Sequence, residues 1–235
     1  MSNKTNSLFI TGTDTGVGKT VVTALLAKMM KAKRIDVGVM KPIATGGIRR
    51  PSSLVPRPSV IVSEDAILLK KSAGVDDDIS LINPICLTPP LAPSLASEIS
   101  GEEINLARIF SAYKTLQEKH KTILVEGIGG LMVPIKGKYL VADLAKDIGL
   151  PVLIVTRPTL GTINHTLLTI KTAKDYGLKV KGFIINYHAP FKKGLAEKYA
   201  GKIIEKLSGI KCLGEIPYKS KNILPDLLGK LGINK

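Results

Sequence analysis

The chain has 235 residues, of which 44% are hydrophobic and 23% charged, proportions that support one sizeable core and exclude an intrinsically disordered chain. Trp is absent and aromatic residues amount to 4%, which counts against the ring platforms on which single-stranded nucleic acid stacks. The net charge of +15 permits an anionic partner, but the lysines (Lys28, Lys31, Lys171, Lys174, Lys193, Lys202 and Lys206 among them) are spread over helical patterns and read as a solvated surface, so neither nucleic acid nor membrane is an expected partner.

Residues 1–7 are polar and run straight into the apolar residues 8–11. No secretory apolar region stands there and no run of eighteen apolar residues follows, so a cytoplasmic protein is expected. Residues 8–11 read as a strand. Then come Gly12, Thr13, Asp14, Thr15, Gly16, Val17, Gly18, Lys19 and Thr20, followed by a helical pattern over residues 20–31. A strand, a glycine-rich turn closing on Gly-Lys-Thr and a helix make a phosphate-binding loop. Gly16 and Gly18 let backbone N–H groups wrap a β-phosphate, Lys19 neutralises the β- and γ-oxygens, and the Thr20 hydroxyl can ligate Mg²⁺. The usual G-x-x-x-x-G-K-[ST] pattern has glycine where Thr13 stands, with Gly12 one place earlier.

A second strand is predicted over residues 37–40, ending in Lys41-Pro42. Two lysines beside one set of phosphates repel unless an anion lies between them, so Lys41 is a functional candidate. Arg49, Arg50 and Arg57 stand in a Pro/Ser-rich connection and read either as surface decoration or as an anion guard. A helix over residues 64–72 opens with Glu64 and Asp65, acids common at helix starts. Cys86 and Cys212 lie in apolar settings without metal-ligand spacing and read as buried thiols. Helices over residues 105–119, 141–148, 162–176 and 192–207 alternate with strands over 122–126, 152–156 and 183–186. Glu126 ends its strand ahead of Gly127, Ile128, Gly129 and Gly130, a poor place for a surface salt bridge, and should meet metal or phosphate. Asn186 ends another strand, where it serves either a turn or a base. Residues 160–164 precede a long helix whose unpaired N–H groups attract anions; Asn164 reads alternatively as an N-cap, and His165 as a packed helix residue. No internal repeat is visible. The alternation predicts one α/β domain over residues 1–235, P-loop NTPase-like, with a mostly parallel sheet, helices on both faces and ligands at the carboxyl edge.

Five blocks, in order and nearly end to end, resemble the motifs of the dethiobiotin synthetase family. They are residues 12–20, Lys41-Pro42-Ile43-Ala44-Thr45-Gly46, Val125-Glu126-Gly127-Ile128-Gly129-Gly130, Leu160-Gly161-Thr162-Ile163-Asn164-His165 and Gly214-Glu215-Ile216-Pro217. The resemblance implies that 7,8-diaminopelargonate is carboxylated by CO₂ to a carbamate, which attacks the γ-phosphate of ATP to give a carbamic-phosphoric anhydride. Ring closure then yields dethiobiotin, ADP and phosphate, in biotin synthesis. Lys19 and Lys41 are implied as the catalytic cations, and Thr15 and Thr45 as contacts of the diamine and its carbamate. Gly16, Val17, Gly18, Lys19, Thr20, Val21, Asp65, Glu126, Gly127, Ile128, Gly129, Asn186 and Pro217 are implied along the nucleotide. Thr20, Asp65 and Glu126 are implied as the protein's share of an Mg²⁺ shell, with Glu64 competing for the place of Asp65. Thr162, Ile163 and Asn164 are implied to meet the substrate carboxylate across the interface of a homodimer.

The chain departs from the family in its long connection over residues 45–64 and in Gly16, where some members carry an acid. Partitioning and division-site ATPases share the loop but carry a lysine at the place of Asp14. Cobyrinic acid amide synthases add a glutaminase domain, for which a chain ending at Lys235 is expected to leave no room. The remaining rival is a noncatalytic sensing module; Lys19, Thr20, Lys41 and Glu126 standing together favour catalysis.

Overall fold

The structure is a computed structural model that describes residues 6–50, 60–187, 189–190, 194–219 and 226–233. Its elements are, in chain order, β1 (Leu8–Gly12), α1 (Lys19–Ala32), β2 (Gly38–Met40), β3 (Ile43–Ala44), β4 (Ile48–Arg50), β5 (Val60–Val62), α2 (Glu64–Ala73), α3 (Ile79–Ile82), β6 (Ile85–Cys86), α4 (Pro93–Ser100) and α5 (Leu106–Lys119). They continue with β7 (Ile123–Glu126), β8 (Pro134–Lys136), β9 (Tyr139–Leu140), α6 (Val141–Ile148), β10 (Val152–Thr156), α7 (Thr162–Asp175), β11 (Val180–Asn186), α8 (Leu195–Ser208), β12 (Cys212–Ile216) and α9 (Leu227–Leu231).

Six strands form one parallel sheet in the order β12-β11-β10-β1-β7-β2. Alternate residues of each strand feed two separate cores. Phe9, Met40, Val125, Ile154 and Phe183 pack with α5, α6, α7 and α8 on one face. Leu8, Ile10, Val39, Leu124, Leu153 and Ile184 pack with α1, α2 and α9 on the other. This period of two, with both faces covered, explains why the apolar runs are continuous rather than alternating. In α1 the buried Val22, Leu26, Ala27 and Met30 recur at helical spacing, and each large side chain removed from water contributes roughly 2 kcal/mol. With β1 in the middle, the chain goes to β7 and β2 on one side and to β10, β11 and β12 on the other. The crevice at the carboxyl ends lies where that order reverses.

The five strands and six helices expected from the sequence are all present, with ends shifted by a few residues; for the helix expected over 192–207, residues 191–193 lie outside the described residues. The structure also adds the short elements β3, β4, β5, β6, β8, β9, α3, α4 and α9, which were not expected, and three further features differ. The strand β12 at the sheet edge was not expected, because Gly214 and Glu215 are only half-buried and interrupt its apolar pattern. His165 is exposed instead of packed, because its place on α7 faces away from the sheet. Cys86 and Cys212 are half-buried instead of buried, and burial still pushes each thiol up to about 11. Arg57, one of the three arginines in the long connection, lies outside the described residues; Arg49 is exposed in the β4–β5 hairpin.

At the opposite end of the sheet from the crevice, a charged cluster ties β2 to α5. His120 Nδ1 meets Asp36 Oδ1 at 2.8 Å, and its Nε2 meets Asp77 Oδ2 at 2.8 Å. The Lys119 ammonium also pairs with Asp77, and the Lys121 amide donates to Asp36 Oδ2 at 2.8 Å. Burial acts to lower the His120 pKa, but the two carboxylates outweigh it and hold it above its usual value. Burial acts to raise Asp36 and Asp77, and hydrogen bonds from His120, Lys119 and Lys121 outweigh it and hold both down. A raised histidine stabilises fully below 6.5 and loses its contribution as pH climbs through the folded pKa; lowered carboxylates stabilise above 3.8 and lose theirs as pH falls. The His120→Ala variant should therefore lose about 1–3 kcal/mol near pH 5–6, having left Asp77 with one partner fewer, and progressively less toward pH 9. Denaturant unfolding at several pH values checks this; a deficit independent of pH would contradict it.

Candidate active site

The turn between β1 and α1 is held from beneath and from its outer side. Gly18, the N-cap of α1, has φ +90°, a left-handed conformation that glycine alone adopts at no steric cost. Beneath it, the buried Asn186 at the end of β11 donates from Nδ2 to the Val17 carbonyl at 2.9 Å. On the outer side, Asp14 Oδ1 accepts from the Thr15 amide at 2.7 Å while its other oxygen pairs with the Arg157 guanidinium at the end of β10. A Cβ at Gly18 would stand 2.0 Å from Asn186 Nδ2, whereas at Gly16, φ +73°, a Cβ meets open space. Gly18→Ala should thus weaken binding of a nucleoside triphosphate about tenfold or more, with Gly16→Ala, which adds backbone strain alone, weakening it less. Equilibrium nucleotide binding separates the two, and equal losses would contradict the packing argument.

Inside this turn Lys19 is buried and its Nζ donates to the Asp14 carbonyl at 3.0 Å. Burial first, and then the nearby Lys41 cation, push its pKa down to about 8, against the raising effect of Glu126, Asp65 and Asp14. Charge repulsion between two desolvated lysines is relieved by an anion, and α1 has no acid in its first turn to supply one.

Lys41 follows β2 and is 4% exposed. Its Nζ lies 2.5 Å from Glu126 Oε1 at the end of β7, 3.2 Å from Asp65 Oδ2 in the first turn of α2, and 3.3 Å from the Gly127 carbonyl. Burial disfavours its charge, but Glu126 and Asp65 outweigh that and hold the pKa above the usual lysine value. The buried Asn83 donates from Nδ2 to the Lys41 carbonyl at 2.7 Å and to the Ile85 carbonyl at 2.9 Å, fixing the backbone that carries the lysine. Thr20 Oγ1 donates to Glu126 Oε1 at 2.8 Å. Glu126 Oε2 is buried and has no hydrogen-bond partner. Ser63 caps α2 through its own side chain, accepting from the Ala66 amide at 3.3 Å, which leaves the Asp65 carboxylate for Lys41.

Thr15, Gly16, Gly18, Lys19, Thr20, Val21, Lys41, Thr45, Asp65, Glu126, Ile128 and Gly129 line one cavity of about 420 Å³, with Ala44 and Leu68. Val17 turns into the core under α1, and Gly127 does not line the cavity but accepts from Lys41 through its carbonyl. Asn186 braces the loop from below, and Pro217 is exposed after β12. Thr162, Ile163 and Asn164 line a second cavity of about 400 Å³ at the start of α7. Asn164 is exposed there, and the N-cap of α7 is Gly161. Sequence reasoning missed Asn83 and Arg157. Arg157 follows an apolar run at the carboxyl edge, the same signal that singles out Glu126; Asn83 carries no comparable signal. Among the described residues no cluster of three or more His, Cys, Asp or Glu side chains forms a metal cage.

A family model described as an AAA domain matches residues 6–223. The ATP-dependent dethiobiotin synthetase BioD of Thermodesulfovibrio yellowstonii is 45% identical over 232 residues, 96% of this chain and 93% of that protein. That of Methanocaldococcus jannaschii is 41% identical over 211 residues, 88% of this chain and 92% of the relative. Among solved structures, a ParA family ATPase from Chlorobium tepidum matches with TM-score 0.51 at 15% identity, over 97% of this chain and 91% of its own. The MinC:MinD cell division protein complex of Aquifex aeolicus matches with TM-score 0.52 at 15% identity, over 96% and 84%. At that identity these two carry the fold, a P-loop NTPase sheet, and nothing more. The curated relatives carry more: identity of this order over nearly the whole chain, on a sheet that brings two lysines to one phosphate-binding loop, means that the chain belongs to the dethiobiotin synthetase family.

Proposed function

We propose that this protein closes the ureido ring of dethiobiotin from 7,8-diaminopelargonate and CO₂ at the expense of ATP, using the cavity between α1, Lys41 and Glu126. The observation that carries the reading is the meeting of Lys19, Lys41, Thr20 and Glu126 in one cavity that also holds Thr15 and Thr45. One substrate amine adds to CO₂ and loses a proton, leaving a carbamate. A carbamate oxygen attacks the γ-phosphorus and ADP leaves. The second amine then attacks the anhydride carbonyl and releases phosphate and a proton, closing the ring.

Such a transfer needs neutralised charge and alignment more than covalent help. Lys19 draws in the β- and γ-oxygens. Lys41, held by Glu126 and Asp65, is assigned the bridge between the carbamate and the γ-phosphate. Thr15 and Thr45 supply short hydroxyl donors to the carbamate. The residues present suit Mg²⁺, because the orphaned Glu126 Oε2 is a buried acceptor, and a hydroxyl with two carboxylates is the share a protein gives an ion that keeps several waters. Thr20, Glu126 and Asp65 would hold the ion, which neutralises the transferring phosphate when bound.

The substrate carboxylate is assigned to the start of α7, at Thr162, Ile163 and Asn164, with a second copy of the chain covering it. Leu160, 88% exposed, with Leu168, Leu195 and Leu207, gives α7, α8 and their approach an unusually apolar outer face, which supports a homodimer. Among the described residues no helix is long and apolar enough to cross a membrane. A cytoplasmic location agrees with the two free thiols. Phosphate release and dethiobiotin formation are the test, with ATP, Mg²⁺, bicarbonate and diamine omitted in turn. Phosphate release that depends on the diamine, matched by ring product, is expected; nucleotide binding without it would leave the sensing module.

A further inference from the structure

The end of β10 gathers a set of hydroxyls, of which only Thr162 has so far been given a part in the reaction. Thr156, fully buried, lies between the phosphate-binding turn and α7. Thr13 Oγ1 donates to Thr156 Oγ1 at 3.2 Å, Thr166 Oγ1 donates to it at 3.0 Å, and Thr162 Oγ1 stands 2.8 Å away. A hydroxyl has two acceptor lone pairs and one proton. With both lone pairs of Thr156 taken by Thr13 and Thr166, its own proton goes to Thr162 Oγ1. Thr162 is therefore an acceptor in that bond, and its own proton is left to find an acceptor elsewhere. Thr162 is 3% exposed, is the first residue of α7, and lines the cavity formed with Pro158, Leu160, Ile163, Leu167 and Ala200. α7 has neither a side-chain cap nor an acid in its first turn, so an incoming negative charge has no competitor there.

We infer that Thr156 is a positioning residue that aims the Thr162 hydroxyl proton at a carboxylate in this cavity and ties that donor to the phosphate-binding turn through Thr13. The inference rests on the reading that the substrate carboxylate occupies the start of α7. Thr156 and Thr166 are fully buried and line neither cavity; they act by proton arithmetic. Removing the Thr166 hydroxyl frees a lone pair on Thr156, and Thr162 can then donate backwards and lose its outward proton.

The test is steady-state kinetics with the diamine varied at saturating ATP, on Thr156→Val, Thr156→Ser, Thr166→Val, Thr162→Val and the Thr156→Val/Thr162→Val pair. Thr156→Val should raise KM for the diamine about 5–20-fold with kcat within about twofold, because a binding contact made equally in ground and transition state is lost. Thr156→Ser should restore the wild-type KM, and Thr166→Val, which keeps the hub if Thr156→Val folds poorly, should raise it. The pair should be no worse than Thr162→Val alone, since Thr156 acts through Thr162. An unchanged KM in both Thr156→Val and Thr166→Val, or additive losses in the pair, overturns the inference while the carboxylate reading stands. An unchanged KM in Thr162→Val moves the carboxylate elsewhere and overturns both.

Discussion

Replacing Lys41 by methionine is expected to lower kcat by about 10²–10³-fold, the range for removing a preorganised group that stabilises transition-state charge. Methionine keeps a long apolar stem and removes only the cation. That cation is fixed before substrate arrives: Glu126 lies 2.5 Å away, Asp65 3.2 Å and the Gly127 carbonyl 3.3 Å, while Asn83 holds the Lys41 backbone from behind. In a desolvated site an ammonium so placed needs no reorganisation at the moment of transfer, and its Coulomb energy is several-fold larger than in water. Lys41→Met also strands the fully buried Glu126, and breaking a buried pair costs about 3–5 kcal/mol. The melting temperature should therefore fall as well. Lys41→Arg separates the two effects, because it keeps the charge and the partner for Glu126 but cannot place a planar fork where a point charge sits. It should recover most of the stability and little of the rate. Single-turnover phosphoryl transfer read beside thermal unfolding checks both, and a Lys41→Met protein with wild-type turnover would remove Lys41 from the reaction.

Glu126→Gln is expected to raise the Mg²⁺ concentration for half-maximal rate about tenfold or more, and to lower kcat as well. Glu126 does two things at once. Its Oε1 receives Lys41 and the Thr20 hydroxyl, while its Oε2 is buried without a partner. Glutamine puts an NH₂ group at one of these places, so it either repels a cation or disrupts the Lys41 contact. With the Glu126 charge that does most to sustain Lys41 removed, burial of that lysine is opposed chiefly by Asp65, and its pKa should fall. The variant should accordingly lose activity at high pH sooner than the wild type, visible as a lower alkaline limb in the pH profile of kcat. Glu126→Asp keeps the charge but withdraws it by one methylene, and should lie between. A variant with unaltered Mg²⁺ dependence would take Glu126 out of the metal site.

The sheet was legible wherever a strand is buried on both faces, since residues 8–11, 122–126 and 152–156 are then runs dominated by apolar and β-branched residues. β12 was not, because an edge strand needs to satisfy only part of that pattern, and Gly214 and Glu215 break it. α4, which begins at Pro93 within a Pro/Ser-rich stretch, carries loop-like residues whose helical state is set by packing on β8. For the site, the carboxyl-edge rule led to Lys41 and Glu126 because each ends a strand. It says nothing of Asn83, whose two carbonyl partners depend on how α3 and β6 fold back on Lys41. Nor does it foresee Thr13 meeting Thr156, a contact 143 residues apart along the chain, created by the register of β1 against β10. Asn186 shows the same limit: its place at a strand end was visible, but its grip on the Val17 carbonyl was not.

In the proposed reaction a carbamate oxygen, not water, attacks the γ-phosphate in the cavity shared by Lys19 and Lys41. Turnover with C¹⁸O₂ in unlabelled water, stopped before the label exchanges, tests it most directly. The ring closes by expelling phosphate that retains the carbamate oxygen, so each phosphate released should carry one ¹⁸O. Unlabelled phosphate formed alongside dethiobiotin would mean that ATP is hydrolysed by water and that the two lysines do not join carbamate to phosphate.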